Sequence, residues 1–306
     1  MATFFARRLL QVIPVIIGVS IAVFLMLHLI PGDPARLVAG MDATAADLEN
    51  VRRALGLDQP LPIQYFNFVA RAIFGDFGES FRTGRAVLDE IGFRYWNTML
   101  LGCAAIVFGT VLGVLTGIIT AVYRDSWIDS SVLAVSLLGI SIPPFFLGIL
   151  LMLVFSVWLG WLPLTGMESW RHVILPAATL GIPNAAIISR ITRSSLVEVL
   201  NQDYVRTARA KGLSELVVIG RHAVRNGMIP VVTVAGLQMG YLLGGAVVTE
   251  TVFAWPGIGR LIVQSISARD FPVVQASVLL LALTFVIINL VTDLLYRLLD
   301  PRIKLK

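Results

Sequence analysis

An all-α integral membrane protein with six transmembrane helices is the fold this sequence predicts, and three observations predict it. The 306 residues are 57% hydrophobic and 14% charged, with mean hydropathy +0.84, whereas soluble domains carry about 25% charged residues. Apolar stretches recur that approach or exceed the roughly 20 residues a helix needs to cross a hydrocarbon core. The Lys and Arg residues between them gather on one side, the asymmetry that orients helices in a membrane.

The first span, about 9–30, follows Arg7 and Arg8. Its apolar run exceeds the roughly 7–15 residues of a signal-peptide core, and no small-x-small cleavage site follows, so it reads as a retained helix. Residues 31–97 then form a small folded extracytoplasmic segment between the first and second spans. Pro31-Gly32 and Asp33-Pro34 predict a turn. Helical patterning runs from Ala45 to Leu55 and stops at Gly56, and the segment is rich in aromatics: Tyr65, Phe66, Phe68, Phe74, Phe77, Phe81 and Trp96. The remaining spans are about 98–122, 132–158, 173–192, 228–250 and 273–297. The third contains Pro143-Pro144 and the fourth Pro176 and Pro183. Such breaks survive in a membrane where a neighbour or a cavity satisfies the freed backbone groups; they either line a pathway or only shape the packing. The predicted division is 1–94 for the first helix plus cap, 95–297 for the main membrane domain and 298–306 for a tail.

With the N-terminus in the cytoplasm, the inner segments hold Arg7, Arg8, Arg124, Arg190, Arg193, Arg206, Arg209, Lys211, Arg221, Arg225, Arg297, Arg302, Lys304 and Lys306. The short outer loops hold only Arg171, Arg260 and Arg269. Both termini and the loop 193–227 are therefore expected in the cytoplasm. The formal charge of +5 is accounted for by this asymmetry and gives no case for nucleic acid.

Gly109, Gly113 and Gly117 recur every fourth residue in the second span, and Gly236, Gly240 and Gly244 do so in the fifth. Small residues at this spacing let helix backbones approach closely, within the chain or against a second subunit. Polar groups inside a membrane are functional candidates. Asn184, Gln238 and Asn289 read as amides that tie helices together or as the lining of a polar pathway. Asp293 and Arg297 are four apart, a spacing that favours a helix-end ion pair. Glu250 falls at the outer end of the fifth span, where water is expected to reach it. The lone Cys103 excludes an intramolecular disulfide and reads as a small packing residue.

Several chemistries are absent. No Gly-x-x-x-x-Gly-Lys-Ser/Thr loop occurs, so the chain is not expected to hydrolyse nucleotide alone. His28, His172 and His222 are scattered without metal-ligand spacing, and no metal site is expected. Gly139-Ile140-Ser141-Ile142-Pro143 fails the nucleophile-elbow pattern at its last position. No catalytic residue is proposed.

The most informative stretch is a basic island, Asp203-Tyr204-Val205-Arg206-Thr207-Ala208-Arg209-Ala210-Lys211-Gly212, continuing to Arg225-Asn226-Gly227. Its composition predicts two short helices. The first is capped by Asp203 and ended by Gly212; the second is capped by Ser214 and fades at Asn226-Gly227. Ala208 and Ala210 give the first helix a low-profile side suited to a partner's groove. Anionic lipid is the other surface that such a basic loop fits.

At these residues the chain resembles the permease subunits of ABC importers, whose Glu-Ala-Ala-x-x-x-Gly loop docks into an ATPase. Arg206, Thr207, Ala208 and Gly212 stand at the matching positions, with Arg206 in place of the glutamate and Thr207 in place of the first alanine. This variant, Asp-Tyr-x-Arg-Thr-Ala-Arg-Ala-Lys-Gly, is that of the dipeptide, oligopeptide and nickel branch. Further blocks of that branch run in order along the chain: Pro31-Gly32-Asp33-Pro34, Gly56-Leu57-Asp58-Gln59-Pro60-Leu61, Gly75-Asp76-Phe77-Gly78, Thr192-Arg193-Ser194-Ser195, Thr249-Glu250-Thr251-Val252-Phe253, Trp255-Pro256-Gly257-Ile258-Gly259 and Asp300-Pro301-Arg302-Ile303. The loop from Gly160-Trp161-Leu162-Pro163 to Trp170-Arg171-His172 looks most like glutathione-importer permeases.

The resemblance implies a type I ABC importer permease fold with a coupling helix at about 203–212. In it Asp203, Tyr204, Arg206, Thr207, Ala208, Arg209, Lys211 and Gly212 serve the ATPase contact. It implies a second homologous permease, two ATPase subunits that bind ATP and Mg, and a periplasmic substrate-binding protein; no cofactor is expected in this chain. Small peptides of the dipeptide or glutathione class are the expected cargo, with an oligopeptide, an opine or a nickel complex as alternatives. A self-sufficient secondary transporter is the competing class, and the lack of charges at mid-membrane depth speaks against it.

Overall fold

Residues 2–29, 34–39, 43–54 and 56–299 are described by the computed structural model. In chain order they form α1 (Ala2–Leu29), α2 (Pro34–Ala39), α3 (Ala45–Ala54), α4 (Leu61–Ile73), α5 (Val87–Val122), α6 (Trp127–Ser141) and α7 (Pro144–Leu151). There follow α8 (Ile174–Leu200), α9 (Asp203–Ala210), α10 (Glu215–Val217), α11 (Arg225–Val252), α12 (Ile258–Ser267) and α13 (Phe271–Leu299). Wider π turns extend α7 over Met152–Trp158 and join α10 to α11 over Val218–Val224. Among the described residues no strand forms; one isolated bridge pairs Glu79 with Ala86.

Among the described residues, four helices are long and apolar enough to cross a membrane, or five if the bent pair α6–α7 is one span. The third predicted span is thus two helices meeting at 109°. Pro143 caps α7 and Pro144 occupies its first turn, where a missing N–H leaves no bond unmade. By contrast α8 runs on past Pro183. The turn expected at Pro31–Pro34, the Asp293–Arg297 pair and the tail from Asp300 involve groups outside the described residues.

The chain divides into two units, the first being Met1–Asn97 with Gly257–Val286. Its core joins Val87 and Ile91 of α5 to Ile258, Leu261 and Ile262 of α12 and Val273 and Ala276 of α13. Phe24 of α1 meets Tyr65 edge-on at 5.5 Å between ring centroids, and the Ser20 and Tyr65 hydroxyls share a 2.8 Å hydrogen bond. The segment after α4 is tied down by Asp270, which accepts from Ser80 Oγ at 2.5 Å and from the Phe81 N–H at 3.0 Å. A cavity of about 780 Å³ opens among Phe24, Gln64, Asn67, Arg71, Glu79 and Gln275.

The second unit, Thr98–Pro256 with Ile287–Lys306, is organised by glycine. A Cβ on Gly109 would lie 2.8 Å from the Gly181 carbonyl oxygen and from Asn184 Nδ2. One on Gly113 would lie 2.6 Å from the Ala185 carbonyl, and one on Gly117 2.5 Å from Thr192 Cβ. Every fourth residue of α5 therefore brings its backbone against α8, and the stripe packs within the chain. Gly181 adds the reciprocal notch on α8, where a Cβ would meet Phe108 at 2.7 Å. The second stripe behaves differently: Gly236 faces Thr292, Gly240 is buried, and Gly244 is exposed with nothing within 4 Å of a Cβ. Above the seam, Leu101, Ala105, Ala177, Leu180, Leu242 and Ala246 close around Trp255. Cys103, expected as a packing residue, is exposed on α5.

Gly113→Leu must displace backbone, not a flexible side chain, and is expected to destabilise the protein by about 1–3 kcal/mol, whereas Gly244→Leu leaves the isolated subunit's melting temperature in detergent unchanged. In the first unit, the Arg71 guanidinium and then the Gly78 N–H hold the Asp76 carboxyl below its ordinary value. Because the folded-state pKa is depressed, the resulting stabilisation is complete above about pH 4, the unfolded value, and is lost as pH falls through the folded one. Carboxyl-carbon NMR should place the Asp76 midpoint below that of a free aspartate, and Arg71→Gln should move it back up.

Candidate functional site

α8 ends at Leu200, and after Asn201 and Gln202 the chain turns into α9. Gln202 occupies the N-cap with extended backbone and no side-chain cap bond, so Asp203 is the first helical residue and not the cap. Its carboxylate still lies at the positive end of the helix, 3.6 Å from Arg206. Both groups are largely exposed, and an ion pair of that kind contributes about 0–1 kcal/mol. Thr207 Oγ1 donates to the Asp203 carbonyl at 2.9 Å.

The faces of α9 are set by the i, i+3 spacing. Val205 and Ala208 are buried with Val218 against Val199 and Leu200 of α8. The low-profile side expected to meet a partner through Ala208 thus faces the chain's own core, because that residue must let Val218 close over α9. Ala210 is the small residue left exposed, beside Tyr204, Arg206, Thr207, Arg209 and Lys211. Gly212 ends the helix at φ +77°, a conformation that a Cβ disfavours, and its N–H donates to the Arg209 carbonyl at 2.9 Å. Across that turn Arg209 grips Glu215 with two bonds, 2.8 and 3.2 Å.

The second helix begins after Ser214 as expected, but it does not fade at Asn226-Gly227. It passes through the π turns into α11 without a break. Gly227 is a point of close approach, since a Cβ there would lie 2.7 Å from Leu196 Cδ2. Ser195 Oγ donates to the Gly227 carbonyl at 2.9 Å, and Asn226 Nδ2 donates to the Tyr204 hydroxyl at 2.9 Å. The island is therefore a helical elbow fastened to α8 and α11, with its cations outward.

Of the polar residues expected within spans, Asn184 is buried in the α5–α8 seam, where neither amide atom finds a hydrogen-bond partner among the described residues. It therefore forms no amide tie between helices among the described residues. Gln238 and Asn289 are half-buried on α11 and α13. Glu250 is not wetted: it is fully buried and accepts from Thr98 Oγ1 at 2.5 Å. The reason is the turn after α11, which carries Phe253 and Trp255 back into the core, with the Trp255 N–H donating to the Glu250 carbonyl at 2.9 Å.

Sequence reasoning missed Asp129. It is buried in the first turn of α6 and receives a two-pronged bond from Arg193 of α8, at 2.8 and 2.6 Å. The available signal was Ser126-x-x-Asp129 before an apolar run, a helix-start pattern; Ser126 Oγ indeed caps the Asp129 N–H.

An all-helical chain with several long apolar helices and an exposed basic elbow between two of them defines a class: the multi-pass helical membrane proteins. The comparisons narrow it. The model of the binding-protein-dependent transport system inner membrane component family matches residues 113–305, and the model of that component's N-terminal region matches residues 1–102. Glutathione transport system permease protein GsiC from Escherichia coli and from Shigella dysenteriae are each 51% identical over 306 residues, covering the whole of both chains. Among solved structures, an inward-facing MetNI methionine ABC transporter superposes with TM-score 0.58 at 19% identity, over 69% of this chain and 96% of that one. An amino acid ABC transporter reaches 0.50 at 14% identity, over 77% and 98%; at such identities the likeness concerns the fold. The chain belongs to the binding-protein-dependent transport system inner membrane components, the permease subunits of ABC importers. It is accordingly a multi-pass inner-membrane protein.

The buried position of Ala208 yields a prediction. Ala208→Trp should overpack the elbow and expose the loop 203–227 to limited proteolysis, whereas Ala210→Trp should leave the protease pattern of the isolated permease unchanged.

Proposed function

We propose that this permease forms one half of an ATP-driven import pathway for small peptides of the glutathione class, and that α9 is the helix through which ATPase subunits drive it. The observation that carries the substrate class is the 51% identity, end to end, with a glutathione transport permease. What supports the role of α9 is its geometry: an outward face bearing Tyr204, Arg206, Arg209 and Lys211, on an elbow anchored to two long helices.

In this reading there are six spans, with α1 as the first and α6–α7 as one broken span. The distribution of Lys and Arg puts both termini and α9 in the cytoplasm. Residues 1–94 are the first helix with a periplasmic cap, 95–297 the main transmembrane domain and 298–306 a tail. The partners are a second homologous permease, two ATPase subunits holding ATP and Mg, and a periplasmic binding protein that presents cargo to the cap; no catalytic site lies in this chain. Asn184, Gln238 and Asn289 remain the polar candidates along the pathway, with Asn184 reaching it only if the α5–α8 seam opens.

The test is reconstitution of the permease pair with its ATPase subunits and binding protein in vesicles. Glutathione uptake should require ATP and the binding protein; uptake by the permeases alone would instead establish a secondary transporter. Arg206→Ala combined with Lys211→Ala should reduce co-purification of the ATPase subunits about tenfold, the effect of roughly 1.4 kcal/mol at the contact, and leave pairing of the two permeases intact.

A further inference from the structure

The pair Asp129–Arg193 stands where two mechanical paths meet. Arg193 lies seven residues before the end of α8, roughly 10 Å at 1.5 Å per residue, and α9 begins after two intervening residues. Asp129 lies in the first turn of α6, which runs to the 109° bend at Pro143-Pro144. The fork fixes both distance and orientation between α8 and α6, since each guanidinium nitrogen engages its own carboxylate oxygen.

The same carboxylate also fixes the chain that enters α6. Asp129 Oδ2 accepts the Asp125 N–H at 3.0 Å, and Asp125 has φ +61°, a left-handed conformation that aspartate takes more readily than most residues with a Cβ. One carboxylate thereby sets the α5–α6 turn, the start of α6 and its tie to α8. At the other end of α6, a Cβ on Gly139 would sit 3.3 Å from Ile182 of α8. The two helices are thus held at both ends, by charge near α9 and by contact near the bend.

We propose that Asp129 and Arg193 are positioning residues of the transport cycle, carrying displacement of α9 and the lower part of α8 into α6 and so to the broken span. The inference rests on the reading of α9 as the ATPase-driven helix. A pair that only held the fold would affect assembly, import and ATP hydrolysis alike. A transmission pair affects the amount of cargo moved per ATP.

The assembled transporter in vesicles tests this with Asp129→Asn, which keeps shape and an acceptor but removes charge, and with Arg193→Lys, which keeps charge but removes the fork. Expected is a fall of about tenfold in glutathione imported per ATP hydrolysed, in the range of coupling energies between linked sites, with the ATPase subunits still bound. The neutral pair Asp129→Asn/Arg193→Gln should be no worse than the singles, because they share one interaction, and it carries the same readout should a single variant fail to assemble. An unchanged ratio, or import and hydrolysis falling in proportion, would overturn the proposal. Arg206→Ala/Lys211→Ala separates the two readings. If that variant keeps its ATPase subunits and normal import, the reading of α9 fails whatever Asp129 does. If it loses them while Asp129→Asn imports at full ratio, the transmission alone fails.

Discussion

Contact between the α5 and α8 backbones is the constraint on which the second unit depends. In a bilayer, burial of apolar surface supplies no drive for helix association, so packing and interhelical polar contacts must supply it. Three notches on α5 and one on α8 bring carbonyl oxygens of each helix to within contact of the other's backbone. Once α8 is held along that length, its lower end has a fixed position. Everything attached there inherits it: the elbow α9–α10 through Val199 and Leu200, α11 through Ser195 and Leu196, and α6 through Arg193.

That arrangement explains how a helix of eight residues is held in place. An isolated helix so short is not stable in water. α9 is held by Val205 and Ala208 from beneath, by the Gly212 turn at its end, and by Arg209–Glu215 across that turn. Of its outward cations, Arg209 is engaged by Glu215, whereas Arg206 and Lys211 are exposed and hold no part of the elbow in place.

Much of this was legible in the sequence because it depends on local rules. The four long apolar helices found among the described residues follow from apolar run length, the α5 stripe from its four-residue spacing, and the end of α9 from glycine. What was not legible depends on the return of distant chain. Glu250 reads as a wetted span end until Phe253 and Trp255 fold back beside it. Ala208 reads as an outward notch until Val218, ten residues later, is seen to need the space. Gly227 reads as a helix stop until Leu196 is found beside it. Asp129 carried a helix-start signature, but nothing in the sequence said that its carboxylate would be shared with an arginine 64 residues away.

The central claim is that the outward face of α9 lies against an ATPase subunit. Cysteine cross-linking tests it most directly. With Cys103→Ser removing the single native thiol, Arg206→Cys is paired with a short bifunctional reagent in membranes containing the complete transporter. The account requires a covalent adduct between permease and ATPase subunit, with a yield that changes when ATP is trapped, and little adduct from the inward position in Ala208→Cys. Absence of adduct at position 206 in membranes that import glutathione normally would contradict it.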